Sequence, residues 1–451
     1  MTFRSLLRRR EIGANSYLLE IGRQRIILDA GAHPKEKGHD SLPNFDSVPH
    51  DTVNSILVTH AHHDHIGALP VLQRRQPKTP VFMTEPTGEV GSAMLHNSVN
   101  VMSRQREELD IAEYPLFTHK ELDSIKSRWM YRDLRRPFFL PNSEVECTFF
   151  DAGHIIGSAG IQLRHEGRTV FYTGDVNFEP QTITRDADFP TSGIDTLIVE
   201  TTRGDFVRPP DFSRRAEKER LAKVICETFD KGGAVMIPVF ALGKSQELLV
   251  MLHELRQMDL IPNAPVFIGG LSTKMTVLYD HYANKTRRSY EGFRILEDME
   301  TLVAPRKRRK ELLYNPLTIY ALSSGMMSEG TTSNQFALRF LDNPKNTVAF
   351  VGYTDPSTPG YTVRNAKPGD KIKLDSKMPP VELRARVESF DFSAHAVRED
   401  IVDYVKTVNP SKVLLVHGDA PAQAWFKETI QELLPKTEII LPEPGEVLNL
   451  W

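Results

Sequence analysis

The chain has 451 residues, with 56 Lys+Arg against 59 Asp+Glu, a formal net charge of −3, 15 His and only 2 Cys. That length holds two or three domains and a sizeable core, and 40% apolar with 25% charged residues excludes wholesale disorder. Two thiols cannot form a four-thiolate zinc site, so any metal centre must use imidazole and carboxylate. No run of 18 apolar residues occurs and no signal segment follows the basic start Arg8-Arg9-Arg10, so a cytoplasmic chain without a membrane partner is expected.

In chain order, Tyr17-Leu-Leu-Glu-Ile and Arg25-Ile-Ile-Leu-Asp read as strands about a turn at Gly22, followed by short strands at Ser55-Ile-Leu-Val-Thr and Pro80-Val-Phe-Met-Thr. The pattern predicts helices over 86–108 and 118–134. Strands return at 144–150, 160–165 and 168–174, with Gly167 turning between the last two, and at 196–200. From about 208 to 365, helix and strand alternate: helix 212–230 capped by Asp211 or Ser213 and stopped at Gly232-Gly233, strand 234–239, helix 243–258, strand 265–268, helix 272–284, strand 317–322, helix 333–341 and strand 347–351. That alternation predicts a mostly parallel, doubly wound sheet. After 365 come strand pairs, a strand at 412–417, a helix and a last strand. The expected division is 1–205, an insertion at 206–365, and 366–451.

The strongest chemical signal is Thr59-His60-Ala61-His62-His63-Asp64-His65, directly after an apolar strand. His60, His62, Asp64 and His65 cannot share one face of a regular strand or helix; they fit a loop wrapped around cations, and imidazole with carboxylate suits zinc or a similar divalent ion. His60 with His62 can serve one ion, and Asp64 with His65 another. Further ligands must come from elsewhere, and His154, Asp175 and His417 qualify, each ending an apolar strand beside a glycine. Asp29, in Leu28-Asp-Ala-Gly31, has the same setting, and its expected task is to orient a ligand.

These residues together resemble the metallo-β-lactamase fold, and more narrowly its β-CASP nuclease branch, along nearly the whole chain. Asp29, the His60–His65 run, His154 and Asp175 look like the fold's four motifs in order. Glu200 after Thr196-Leu-Ile-Val, His395 in Phe392-Ser-Ala-His395-Ala, and His417 are similar to the three motifs that the branch adds. Pro238-Val-Phe-Ala-Leu-Gly243-Lys-Ser-Gln-Glu247 and Ser323-Ser-Gly-Met-Met327 match the branch's inserted domain. In size and motif style the chain is similar to the cleavage-and-polyadenylation-factor endonuclease type, in a compact prokaryotic-like version without KH domains. It departs from the pattern at Lys244, where the family has Arg, at Ser324, where it has Pro, and after Gly352-Tyr353. A bidentate phosphate contact at 244 thereby becomes a point charge.

The resemblance implies an αββα sandwich with an inserted doubly wound α/β domain that closes over the metals. It also implies two Zn2+ per chain: His60, His62 and His154 hold one, Asp64, His65 and His417 the other, and Asp175 bridges. A hydroxide between the ions would hydrolyse a phosphodiester, with His395 protonating the leaving oxygen and Glu200 orienting His395. Lys244, Ser245, Ser323, Ser324 and Gly325, at expected strand ends of the insertion, are candidate phosphate contacts. His417 points to single-stranded RNA as substrate, because DNA-specific members tend to be apolar there. A DNA nuclease of the same fold is the alternative, and a non-catalytic scaffold or a small-molecule hydrolase fits the complete ligand set and the insertion less well. Relatives also imply a homodimer.

The total charge conceals an asymmetry. Residues 206–365 hold 22 Lys+Arg and 17 Asp+Glu, whereas the remainder holds 34 and 42. The basic excess of the insertion includes the run Pro305-Arg-Lys-Arg-Arg-Lys310, whose expected setting is a solvated loop, with a backbone contact to nucleic acid as the alternative.

Overall fold

The computed structural model describes residues 1–299, 301–303 and 313–451, so the basic run at 305–310 lies outside the described residues. Contacts group the chain into two compact units, one of residues 1–180, 186–208 and 395–451, the other of 181–185 and 209–394.

The first unit rests on two seven-stranded sheets. One runs in the order Val447–Asn449, Thr2–Ser5, Tyr17–Ile21, Gln24–Leu28, Ser55–Leu57, Val81–Met83, Trp129–Tyr131, antiparallel as far as Gln24–Leu28 and parallel beyond it. The other runs Glu438–Ile440, Lys412–Val416, Thr196–Glu200, Arg168–Tyr172, Ala159–His165, Glu146–Asp151, Phe138–Phe139, parallel over its first four strands and antiparallel after them. The period-two alternation of side chains assigns the faces. Ile26 and Leu28 join Phe149, Ile161, Val170 and Ile198 between the sheets, while Ile27 turns outward to Leu95, Val99 and Leu122 on the covering helices. On the far side Leu197, Val199, Val413 and Leu415 pack against Ile401 and Val405 of helix Arg398–Val408 and Phe426 of helix Ala420–Leu433. The layers are therefore αββα, as expected, and each buried Leu or Phe contributes about 1.5–3 kcal/mol to holding the strand ends in place.

The helix predicted over 118–134 is shorter. His119–Lys126 is helical, started by a capping box between Thr118 and Glu121, but Trp129–Tyr131 pairs as an edge strand with Val81–Met83. Burying Trp129 on the sheet outweighs continuing the helix.

The second unit has one six-stranded, wholly parallel sheet in the order Thr301–Val303, Val266–Ile268, Ile319–Leu322, Val235–Pro238, Thr347–Phe350, Arg386–Ser389. Helices Arg214–Asp230, Lys244–Gln257 and Leu271–His281 belong to it, and Ser213 is the cap of the first, its hydroxyl accepting from the Ala216 N–H. Residues 366–394, expected with the C-terminal part, group here instead. The reason is pairing and packing: Arg386–Ser389 extends the sheet beside Thr347–Phe350, and Ile372, Leu374 and Leu383 join the cluster around Tyr320 and Phe340. The short return 181–185 belongs to this unit too. Buried Glu247 accepts the backbone N–H groups of Thr182, Ile183 and Thr184 at 2.7, 3.0 and 3.0 Å.

Candidate metal centre

Parallel strands deliver their carboxyl ends to one edge of a sheet, and that is where the first unit collects its polar residues. In the second sheet Arg168–Tyr172, Thr196–Glu200 and Lys412–Val416 are adjacent and parallel, so Asp175, Glu200 and His417 emerge side by side although they are far apart in sequence. His154 follows Glu146–Asp151 in the same sheet. In the first sheet Asp29 follows Gln24–Leu28, and the loop after Ser55–Leu57 carries His60 and His62 into a short helical turn, His63–Ile66, that holds Asp64 and His65. The loop fits because Gly31 has no side chain: a Cβ there would lie 1.6 Å from the Asp64 carbonyl oxygen. Asp29 and His417 both adopt left-handed backbone, with φ of 58° and 49°. Such conformations are costly for residues other than glycine and cluster at functional sites.

Three groups of potential ligand atoms result, each with all its atoms within 4.8 Å of one another: His60, His62, His154 and Asp175; Asp64, His65 and His417; and Asp175, Glu200 and His395, the first and third sharing Asp175. In the first, His62 Nδ1 lies 3.2 Å from His60 Nε2 and 3.0 Å from His154 Nε2, and Asp175 Oδ2 lies 3.4 and 3.6 Å from those same two nitrogens. Ligands about 2.0–2.1 Å from a tetrahedral zinc would be spaced about 3.3 Å apart, so this spacing fits one. In the second, Asp64 Oδ2 is 3.2 Å from His417 Nε2 and 3.9 Å from His65 Nε2. Asp175 Oδ1 faces this second group, 3.2 Å from His65 Nε2 and 3.1 Å from His417 Nδ1. No donor proton is aligned with that oxygen, so it is a buried carboxylate atom without a hydrogen bond. A cation between the imidazoles would satisfy it, and the donor set is compatible with a metal site.

The electrostatics differ between the groups. Burial pushes the His60 imidazole well below its ordinary range and takes His62 down to about 4, so these rings present lone pairs. Burial opposes charge on His65 and His417 as well, but Asp175 with its neighbouring carboxylates outweighs it, lifting His65 and pushing His417 up to about 10. Asp64 and Asp175 are themselves opposed by burial, yet the surrounding imidazoles hold both well below the carboxylate range. Without metal, protons on His65 and His417 supply the positive charge that the carboxylates demand.

The supporting contacts are equally specific. Asp29, fully buried, accepts from His65 Nδ1 at 2.8 Å, from the Thr59 backbone N–H at 2.7 Å, and from the Thr59 and Tyr172 hydroxyls at 2.9 Å each. These bonds place Asp29 directly against the His65 ring. His395 Nδ1 lies 3.2 Å from both oxygens of buried Glu200, which also accepts from the Val176 N–H at 2.7 Å. Burial disfavours charge on His395, but Glu200 outweighs it and raises the imidazole. Thr59 and Thr202 were not legible as site residues, because a lone hydroxyl carries no motif; Thr202 Oγ1 lies 3.0 Å from His417 Nδ1.

The candidate phosphate contacts are in the second unit, and Lys244 and Ser245 are engaged internally. Lys244 Nζ donates to the Phe392 carbonyl. Ser245 is buried, its hydroxyl donating to the Phe240 carbonyl at 2.7 Å with Ser272 Oγ at 3.0 Å, which makes it a helix-start bond rather than an offered hydroxyl. Ser324 bonds through its carbonyl to the Ser333 hydroxyl at 2.7 Å, and Gly325 lies against Phe240 beside Ser323.

Comparison with known proteins agrees with this architecture. Residues 9–91 match the metallo-beta-lactamase superfamily, residues 245–363 the Beta-Casp domain, and residues 380–442 the Zn-dependent metallo-hydrolase RNA specificity domain. Over 93% of its length the chain is 29% identical to Endoribonuclease YSH1 of Candida glabrata, of which it spans 55%. It is 28% identical to Transcription termination factor FttA of Methanocaldococcus jannaschii, covering 95% of this chain and 68% of that protein. It is 27% identical to the RNase J-like protein of the same organism, covering 98% of this chain and 97% of that one. The chain thus spans about half the length of the yeast relative and nearly all of the archaeal RNase J-like one. In fold it is similar to a crystal structure of a protein of unknown function from Enterococcus faecalis, with a TM-score of 0.60 at 14% identity and 99% of each chain covered. Among the described residues no helix is long and apolar enough to cross a membrane. With the αββα sandwich, the inserted parallel sheet and seven converging imidazole and carboxylate residues, the chain carries metallo-beta-lactamase, Beta-Casp and RNA specificity domains.

Proposed function

We propose that this protein is a zinc-dependent nuclease that hydrolyses phosphodiester bonds of single-stranded RNA. The observation that carries the reading is the pair of ligand groups joined by Asp175, whose two oxygens face one group each. In this reading His60, His62 and His154 hold one zinc, Asp64, His65 and His417 the other, and Asp175 belongs to both. When bound, two such ions supply a water ionised near neutral pH and neutralise charge on the phosphoryl oxygens.

The chain's own residues do the rest. His395, with its side chain 23% exposed, stands beside the ligand groups and donates a proton to the departing oxygen. Glu200 fixes the ring through Nδ1 and keeps it protonated, and the Val176 and Thr202 N–H groups hold Glu200 in turn. RNA is favoured over DNA by the match of 380–442 to an RNA specificity domain, which contains both His395 and His417, and by relatives named as endoribonuclease and RNase J-like.

The test is to incubate the protein with one sequence labelled at the 5′ or 3′ end, as RNA and as single-stranded DNA, with and without a chelator. Cleavage of the RNA that the chelator abolishes and zinc restores is expected. Activity indifferent to chelator, or confined to DNA, would refute the proposal.

A further inference from the structure

An imidazole binds a metal through one nitrogen only if its proton sits on the other, so each ligand histidine needs something to fix that choice. For His65 the partner is Asp29, whose Oδ2 lies 2.8 Å from Nδ1. Among the described residues no carboxylate pairs with the Nδ1 of His60. What it has is the Thr59 hydroxyl, 3.1 Å away.

The direction of that contact follows from counting protons. A hydroxyl has one proton and two lone pairs. Thr59 Oγ1 lies 2.9 Å from Asp29 Oδ2 and 3.1 Å from Asp29 Oδ1, and an ionised carboxylate only accepts. If the Thr59 proton pointed to His60, its lone pairs would face both carboxylate oxygens with nothing between them. The proton therefore goes to Asp29, and Thr59 accepts from Nδ1–H of His60. A second nitrogen near it, His65 Nδ1 at 3.4 Å, is already directed at Asp29. His60 is left with its Nε2 lone pair facing His62 Nδ1 and Asp175 Oδ2, at 3.2 and 3.4 Å. Thr59 has little room to turn elsewhere: it is 1% exposed, and a Cβ on Gly174 would lie 2.8 Å from its own Cβ.

We propose that Thr59 is a positioning residue for the metal centre, relaying Asp29 to His60, so that one buried carboxylate sets the ligand nitrogen in both groups: of His65 directly and of His60 through a hydroxyl. This rests on the reading of His60 as a metal ligand. It predicts that the hydroxyl, not the shape of the side chain, is what matters.

The experiment measures zinc affinity of the full chain by competition with a chromophoric chelator, with metal content read independently of catalysis. Thr59→Val keeps the shape and removes the hydroxyl; Thr59→Ser keeps the hydroxyl. Loss of an outer hydrogen bond of this kind typically costs 10–100-fold in metal affinity. We expect a loss of that size for one of the two zinc ions in Thr59→Val and near-native affinity in Thr59→Ser. In a His60→Ala background, Thr59→Val should cause no further loss. Native zinc affinity in Thr59→Val, equal weakness of the Val and Ser variants, or an undiminished Thr59→Val effect without His60 would each overturn the relay. His60→Ala retaining both ions would instead overturn the ligand assignment beneath it, so the two failures are distinguishable.

Discussion

Replacing His395 by Ala separates proton donation from metal binding. In the proposed assignment His395 belongs to neither metal set, and its Nδ1 lies 3.2 Å from each Glu200 carboxylate oxygen. A positioned general acid contributes about 10²–10⁴-fold, or about 3–5 kcal/mol of barrier. The ring is not sealed from solvent, its side chain being 23% exposed, so water can enter the space and act as a poor substitute. The expected loss for His395→Ala is therefore toward the lower end, about 10²–10³-fold in kcat on RNA. Zinc content should stay native. A nitrophenyl phosphodiester provides the internal control, because its leaving group departs without a proton, and its hydrolysis should fall far less than that of RNA. Glu200→Gln should weaken the same step differently. Glu200 raises His395, and the acid works only in its protonated form, so wild-type activity extends to higher pH and the basic limb should move to lower pH in the variant. Depleted zinc in His395→Ala, or equal losses on both substrates, would refute the acid role and point instead to the third ligand group, Asp175, Glu200 and His395, as a metal site.

Other outcomes test other parts of the structure. Asp64→Ala should lose zinc and cleavage together, read by metal analysis beside the RNA assay, because Asp64 is the carboxylate within its group. Zinc binding must displace protons held on His65 and His417, the latter pushed up to about 10, so apparent zinc affinity should rise with pH through the neutral range, with proton uptake or release followed in weak buffer. Glu247→Ala should destabilise by about 3–5 kcal/mol in urea titrations, since three backbone N–H groups lose their charged acceptor. Burial, with Glu179 nearby, pushes the Asp400 carboxyl up to about 6. Raised above its unfolded value, it contributes stability present below about pH 4 and lost as pH rises through about 6. Asp400→Asn should therefore stabilise at pH 7.5, by about 1 kcal/mol once solvent screening of a half-exposed group is allowed for, and change little at pH 4.

Legibility followed distance along the chain. His60, His62, Asp64 and His65 are readable because they are neighbours in one loop. Asp175, Glu200 and His417 are readable one at a time, as polar residues closing apolar runs, but only parallel pairing of their strands shows that they are adjacent. Thr59, Thr202 and Tyr172 were hidden because hydroxyl residues are common and their role lies in the hydrogen bonds they make, Tyr172 donating to Asp29 and the threonines standing beside imidazole nitrogens. The pairing of Arg386–Ser389 was not legible because that segment looks like any short strand, and its partner, Thr347–Phe350, lies across an intervening helix and hairpin. Ser245 reads as an available hydroxyl until the structure shows it turned back onto Phe240.

The order of strands in the second sheet also sets a schedule. Lys412–Val416 lies between Thr196–Glu200 and Glu438–Ile440, and His417 is made only after the whole second unit has been synthesised. His395 too is made after that unit. In the proposed assignment, a chain synthesised only as far as residue 380 holds Asp64 and His65 but has neither His417 nor His395.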